Sequence, residues 1–333
     1  MKISYLVALF LLTCCSIYQK KQLDCVKEYC HMKADKKGFF SDYYYQISQN
    51  AKKDKPIYIA IMPNNTPGTV IPDDESDYQE TFRGFARTRW MKSNISRLLR
   101  EKLEIATLVP AFPTQNNSGV YSNLLNDKSM NHKRKRWNRV DLQLIKIIED
   151  ARKNLEKQGY KVHEKVLFYG FSSQADFANR FALLHPHLVK AVAVGGIVDY
   201  ITPPISEYKN KKLNYPVGIA DIDAIGKHEF SLDALKDVKF FWFDGNDDTN
   251  TTFNKHYGVW KNEDIDLIYE IFAGKKYDEK KLYDAKILEN VLKIMKEKNI
   301  NFTYKRYKNV RHDFTNEMKN DVVEFFSKIT TEK

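Results

Sequence analysis

The run Lys165-Val-Leu-Phe-Tyr-Gly-Phe-Ser-Ser-Gln-Ala-Asp-Phe-Ala-Asn-Arg-Phe-Ala-Leu-Leu-His185 carries the residues best placed to do chemistry. It opens with apolar residues of strand type, turns at Gly170-Phe171-Ser172-Ser173, and continues with Phe177, Phe181 and Leu184 at helical spacing. A strand that reverses into a helix through Gly-x-Ser lifts the serine hydroxyl above the carboxyl edge of a sheet, where it can attack a carbonyl carbon. The helix start then presents backbone N–H groups with no helical partner, so the N–H of Ser173 is expected to donate to the oxyanion that forms. The plainer reading of the same residues is an ordinary strand-turn-helix connection, so the assignment depends on partners elsewhere in the chain.

With that elbow, the chain resembles the α/β-hydrolase superfamily, particularly its secreted serine esterases and depolymerases. The usual pattern is Gly-x-Ser-x-Gly; here Gly170-Phe171-Ser172-Ser173-Gln174 lacks the last glycine, so Gln174 must turn its side chain into a gap or toward the pocket. The resemblance implies an α/β fold with a mostly parallel sheet covered by helices on both faces. It also implies a second oxyanion donor in the loop after an early strand, which selects Asn64 or Asn65. An acid is expected in the turn after a late strand. Gly245-Asn246-Asp247-Asp248 matches the family's Gly-x-x-Asp, which selects Asp248, with Asp244 and Asp247 as substitutes. A histidine between the last strand and the last helix is expected to be the general base, and His312 holds that position. His163, His185 and His187 flank sheet elements as structural or surface residues, and His31, His132, His228 and His256 match no position of the family.

The expected chemistry follows from the residue types. A serine hydroxyl alone is a poor nucleophile at neutral pH, so His312 takes its proton while Asp248 holds the imidazole tautomer. Such a site needs no metal and no organic cofactor, and no Cys/His spacing suggests zinc. The expected substrate is a small or polymeric carboxylic ester; a peptidase or thioesterase of the same fold, or a catalytically silent binding protein on the scaffold, is the competing reading.

Composition narrows the class. The 333 residues are 43% hydrophobic, with 20 Tyr and 20 Phe, enough for a large aromatic core. The net charge of +11 comes from lysines scattered among Asp and Glu, which reads as solvated helix faces. The densest basic run, His132 to Arg136, reads as an exposed loop before a helix, and no nucleic-acid partner is expected.

Residues 1–15 read as a signal peptide: Lys2 is a minimal basic region and Ile3 to Leu12 a short apolar core, well below the ~20 residues that span a bilayer. Leu11-Leu12-Thr13-Cys14-Cys15-Ser16 resembles a loose bacterial lipobox, which makes Cys14 or Cys15 the lipidated residue and the membrane a partner through that anchor. The expected location is the bacterial cell envelope, as a membrane-anchored lipoprotein or, after ordinary signal-peptide cleavage near the same point, as a periplasmic or secreted protein. In that oxidising setting Cys25 and Cys30 are expected to pair. Residues 16–55 read as a polar spacer and 56–333 as the catalytic domain, in which the irregular segment 199–235 is a candidate cap.

Within the domain, Ile57 to Met62, Ile105 to Phe112, Val189 to Gly196 and Val238 to Phe243 read as buried strands, and Asn301 to Tyr307 as an edge strand. Helices are expected over 93–103, over 141–158 with Asp141 as its cap, over 278–298, and over 315–326.

Overall fold

A computed structural model of the chain describes residues 24–35, 38–63, 65, 81–113, 124–197, 200–257 and 259–332. Asn64, Cys14 and Cys15 lie outside the described residues. Eight strands form the central sheet: β1 (Cys30–Met32), β2 (Tyr43–Ile47), β3 (Ile59–Ile61), β4 (Ala106–Pro110), β5 (Val166–Phe171), β6 (Val189–Gly195), β7 (Lys239–Gly245) and β8 (Phe302–Tyr307). Their order across the sheet is β1-β2-β4-β3-β5-β6-β7-β8. β2 pairs antiparallel with both β1 and β4, and every pairing from β4 to β8 is parallel.

The parallel strands are near-continuous apolar runs because both sheet faces are covered. All six residues of β5 and all five of β4 are buried. Six helices matter below: α1 (Asn94–Lys102), α2 (Val140–Lys157), α3 (Ser173–Leu184), α4 (Asn262–Ile268), α5 (Ala285–Glu297) and α6 (Asn316–Thr331). One core is built by α2, α3, α4 and α5, through Ile147, Phe181, Ile265 and Val291, against Phe168 and Trp242. The opposite core packs Leu99 of α1 and Val322 and Phe326 of α6 on Leu167, Tyr169 and Phe243. Alternate residues of β5 therefore feed opposite cores, which fixes the register of the strand that ends at Ser172.

Three expectations require correction. The stretch 16–55 is not simply a spacer, because β1 and β2 lie within it and complete the sheet. Its Tyr43, Tyr44 and Tyr45 are all buried, and two of the polar tips have partners: the Tyr43 hydroxyl donates to Asp150 Oδ2 at 2.6 Å and that of Tyr45 accepts from Gln158 Nε2 at 2.9 Å. Tyrosine hides its ring while its hydroxyl finds a partner, so a strand built from it looks polar in sequence.

Ile57 to Met62 is also not one strand. Pro56–Ile57 pairs with Lys161–Val162, and only Ile59–Ile61 enters the central sheet.

Asp141 does not cap α2 either. Arg139 stands at that cap, and fully buried Asp141 in the first turn takes a two-pronged bond from Arg139 (2.9 and 2.7 Å) and a bond at 2.9 Å from His185. These partners hold its carboxyl down at about 2 against the pull of burial.

Segment 200–235 carries a two-residue hairpin (Glu207–Tyr208 with Lys211–Lys212) and two short helices. It packs on the chain around α4: Tyr208 stacks on Phe272 at 5.5 Å and Lys209 Nζ donates to the Ile271 carbonyl at 2.7 Å. Among the described residues no helix is long and apolar enough to cross a membrane.

Candidate active site

Ser172 follows β5, Asp248 follows β7 and His312 follows β8, so all three reach the same edge of the sheet, where the parallel strands end. At the elbow Ser172 has φ 63° and ψ −135°, a conformation an L-residue adopts only when its surroundings impose it, at roughly 1–3 kcal/mol. The surroundings are β5 below and α3 beyond: the Ser172 N–H donates to the Gly195 carbonyl of β6 at 2.8 Å, and its carbonyl accepts from Ala175 N–H at 2.7 Å. Held this way, the hydroxyl stands half-exposed at the mouth of the turn.

His312 Nε2 lies 2.9 Å from Ser172 Oγ, and its Nδ1 lies 2.8 Å from Asp248 Oδ2. The carboxylate accepts only from an Nδ1–H, so this pairing assigns the tautomer whose Nε2 lone pair faces the serine hydroxyl. Asp248 is fully buried while His312 keeps 29% of its side chain exposed, enough for a substrate to reach the imidazole edge. The Asp248 carboxylate is itself fixed, since Oδ1 accepts from the Asn250 N–H at 3.0 Å.

The acid turn and the histidine loop are tied together along their length. Asn246 N–H donates to Tyr307 O (2.9 Å), Asp247 N–H to Val310 O (3.0 Å), and Asn309 N–H to Asn246 Oδ1 (2.7 Å). The approach is so close that a Cβ on Gly245 would sit 1.9 Å from the Val310 carbonyl oxygen. Gly196, with φ +70°, gives His312 room in the same manner: a Cβ there would lie 2.9 Å from the Phe171 ring and 3.1 Å from His312 Cε1. Phe171 completes the wall, its ring 4.9 Å from the imidazole and stacked on Phe314 at 5.3 Å.

The alternative acids are occupied elsewhere. Asp244 lies inside β7, where it accepts from Arg306 Nε at 3.1 Å and from the Tyr304 hydroxyl at 2.8 Å. Burial raises its carboxyl despite those partners. Asp247 is exposed, and its backbone belongs to the zip with Val310.

On the other side of Ser172, the loop after β3 is stitched to the elbow. Ser173 Oγ donates to Asn65 Oδ1 at 2.7 Å, and Asn65 Nδ2 donates to the Phe171 carbonyl at 3.2 Å. Gln174, where the resemblance expected glycine, points into the gap between β5 and that loop. Its Oε1 accepts from Phe171 N–H (3.0 Å) and its Nε2 donates to the Pro63 carbonyl (2.8 Å). The Asn65 side chain thus faces the elbow. Ser173 N–H belongs to the first turn of α3, where no helical carbonyl reaches it.

Two of these contributors carried little sequence signal. Gln174 stood out only as a departure, and nothing in its type foretold which groups it would join. Gly196 was legible as the second glycine of a pair closing a buried strand, a place where a strand-type residue would be expected. Elsewhere, Cys25 and Cys30 are joined by a disulfide with Cα atoms 5.2 Å apart.

No protein family model matches the chain, and no curated protein matches it by sequence. Solved structures do. An S-formylglutathione hydrolase from Agrobacterium tumefaciens is similar with a TM-score of 0.50 at 11% identity, over 91% of this chain and 93% of that one. A poly(3-hydroxybutyrate) depolymerase from Bordetella parapertussis is similar with a TM-score of 0.50 at 12% identity, over 88% and 87%. At such identities the likeness concerns the fold, and the fold is that of the α/β hydrolases.

Proposed function

We propose that the protein is a serine hydrolase that cleaves a carboxylic ester through an acyl-enzyme. The observation that carries this reading is the unbroken line from Ser172 Oγ through His312 to the buried Asp248 carboxylate, mounted on a strained turn at the carboxyl edge of the sheet. Ser172 Oγ attacks the ester carbonyl carbon and its proton passes to His312 Nε2. The oxyanion is stabilised by the N–H of Ser173 and by main-chain N–H from the Asn64-Asn65 loop. Each such donor is worth about 3 kcal/mol of barrier. Collapse breaks the bond to the alcohol oxygen, which leaves with the proton from Nε2. Water then attacks the acyl carbon, gives its proton to Nε2, and Ser172 recovers it as the acyl bond breaks.

That the two similar structures are a hydrolase and a depolymerase supports ester cleavage as the first chemistry to test. Turnover of p-nitrophenyl esters of short and long acyl chains tests it, with Ser172→Ala and His312→Ala as controls. Loss in both variants of an otherwise folded protein is expected; equal turnover by Ser172→Ala overturns the reading. Export to the cell envelope, with a lipid on Cys14 or Cys15, goes with this proposal. The apolar run Ile3 to Leu12 and the Cys25–Cys30 disulfide support it. Labelling by a fatty-acid analogue, lost when both Cys14 and Cys15 are replaced, is the corresponding test.

A further inference from the structure

Asn250 belongs to the same turn as Asp248 but was given no role by the motif. Its main-chain N–H holds Asp248 Oδ1 at 3.0 Å, and its side-chain Nδ2 stands 3.3 Å from His312 Nε2. Nε2 is the atom that also faces Ser172 Oγ at 2.9 Å, so two donors converge on one lone pair. Asn250 is exposed, which puts its amide on the open side of the imidazole.

The site's reaction requires a third oxygen to visit this position. When the tetrahedral intermediate collapses, the leaving oxygen must come within about 3 Å of Nε2 to take its proton; when the acyl-enzyme is hydrolysed, the attacking water must sit there to give one up. Ser172 Oγ is by then bonded to carbon, so the visiting oxygen approaches Nε2 from the open side. That is where the Asn250 amide already stands.

We infer that Asn250 Nδ2–H is the group that receives this oxygen, orienting first the departing alcohol and then the hydrolytic water against His312 Nε2; the inference rests on the serine-hydrolase reading above. In the resting protein the amide rests on Nε2 itself. On substrate binding it donates to the leaving-group oxygen while the proton passes from Nε2 to that oxygen and the carbon–oxygen bond breaks. In the second half it donates to water oxygen while the water's proton passes to Nε2 and its oxygen bonds to the acyl carbon. Its backbone link to Asp248 keeps this donor in register with the imidazole that the same turn holds.

The test compares an alkyl ester with its p-nitrophenyl counterpart in Asn250→Ala. A p-nitrophenolate departs without help from an acid, whereas an alkoxide does not. The expected result is a fall of about tenfold or more in kcat/KM for the alkyl ester, with kcat/KM for the p-nitrophenyl ester held within a factor of about 2–3. The kcat on the p-nitrophenyl ester falls as water attack slows, so a burst of p-nitrophenol appears. The rate of fluorophosphonate capture at Ser172 should stay near wild type, which reports an intact imidazole and carboxylate.

Equal losses on both esters with slower capture assign Asn250 a merely structural part and overturn the inference, and so does unchanged turnover of both. Hydrolysis that survives Ser172→Ala would instead overturn the reading of the site itself, and the two failures are thereby distinguished.

Discussion

The side-chain amide of Gln174 bridges the last residue of β5 and the loop after β3, accepting from Phe171 N–H at 3.0 Å and donating to the Pro63 carbonyl at 2.8 Å. The residue that breaks the expected motif therefore serves as a brace between the strand that leads to Ser172 and the loop that carries Asn65. Buried at 4% exposure, both of its bonds are shielded from water, where an unpartnered main-chain group is costly.

Gln174→Ala is accordingly expected to lower stability by about 2–3 kcal/mol, since it orphans one donor and one acceptor. The ester kcat/KM should fall about tenfold or more, because the loop proposed to supply an oxyanion N–H loses its tie to the elbow. Urea denaturation and ester kinetics measure the two effects; a neutral variant would remove Gln174 from the account.

Gly196→Ala is expected to cost activity out of proportion to stability. The new Cβ meets the Phe171 ring and His312 Cε1, and φ +70° disfavours alanine by roughly 1–2 kcal/mol. Displacing the imidazole from a 2.9 Å contact with Ser172 should lower kcat/KM about 100-fold. Slower fluorophosphonate capture by a protein that still unfolds cooperatively is the expected signature.

Asp248→Asn and Asp244→Asn should separate cleanly. The first leaves His312 Nδ1 facing an amide and should lower kcat by about 10⁴ with little change in stability. The second should retain most activity and lose about 1–3 kcal/mol, since the amide leaves one acceptor oxygen for the two donors Arg306 and Tyr304 and removes the charge facing Arg306. The opposite pattern would make Asp244 the acid.

The fold was legible where burial is two-sided. Val166 to Phe171 is an unbroken apolar run and Val189 to Gly195 is broken only by half-buried Lys190, because helices cover both faces of the strands. The positions of Ser172, Asp248 and His312 were legible for a related reason, since each follows a recognisable strand. What escaped was governed by contacts between distant residues. Tyr43 and Tyr45 look like a polar linker until Asp150 and Gln158 supply their partners, and Asp141 looks like a helix cap until Arg139 and His185 converge on it. The contact of Asn250 with His312 was invisible because it spans 62 positions in sequence.

The Asp141 cluster also predicts a pH dependence. Its carboxyl titrates at about 2 in the folded chain, held down by Arg139 and His185, against roughly 3.9 when unfolded. A folded pKa below the unfolded one means stability present above about pH 4 and lost as pH falls through 4 toward 2, on the order of 2 kcal/mol. Urea denaturation of wild type and Asp141→Asn should show a gap at pH 7 that narrows steadily between pH 4 and pH 2.5; a constant gap contradicts the cluster's role.

Activation of the Ser172 hydroxyl by His312 is the central claim to test. Intact-mass and peptide measurements after exposure to a fluorophosphonate at neutral pH settle this. One adduct per chain on the peptide bearing Ser172, abolished in Ser172→Ala and slowed at least 100-fold in His312→Ala, is predicted. Folded wild-type protein that takes up no label, or labels at another residue, would contradict the account.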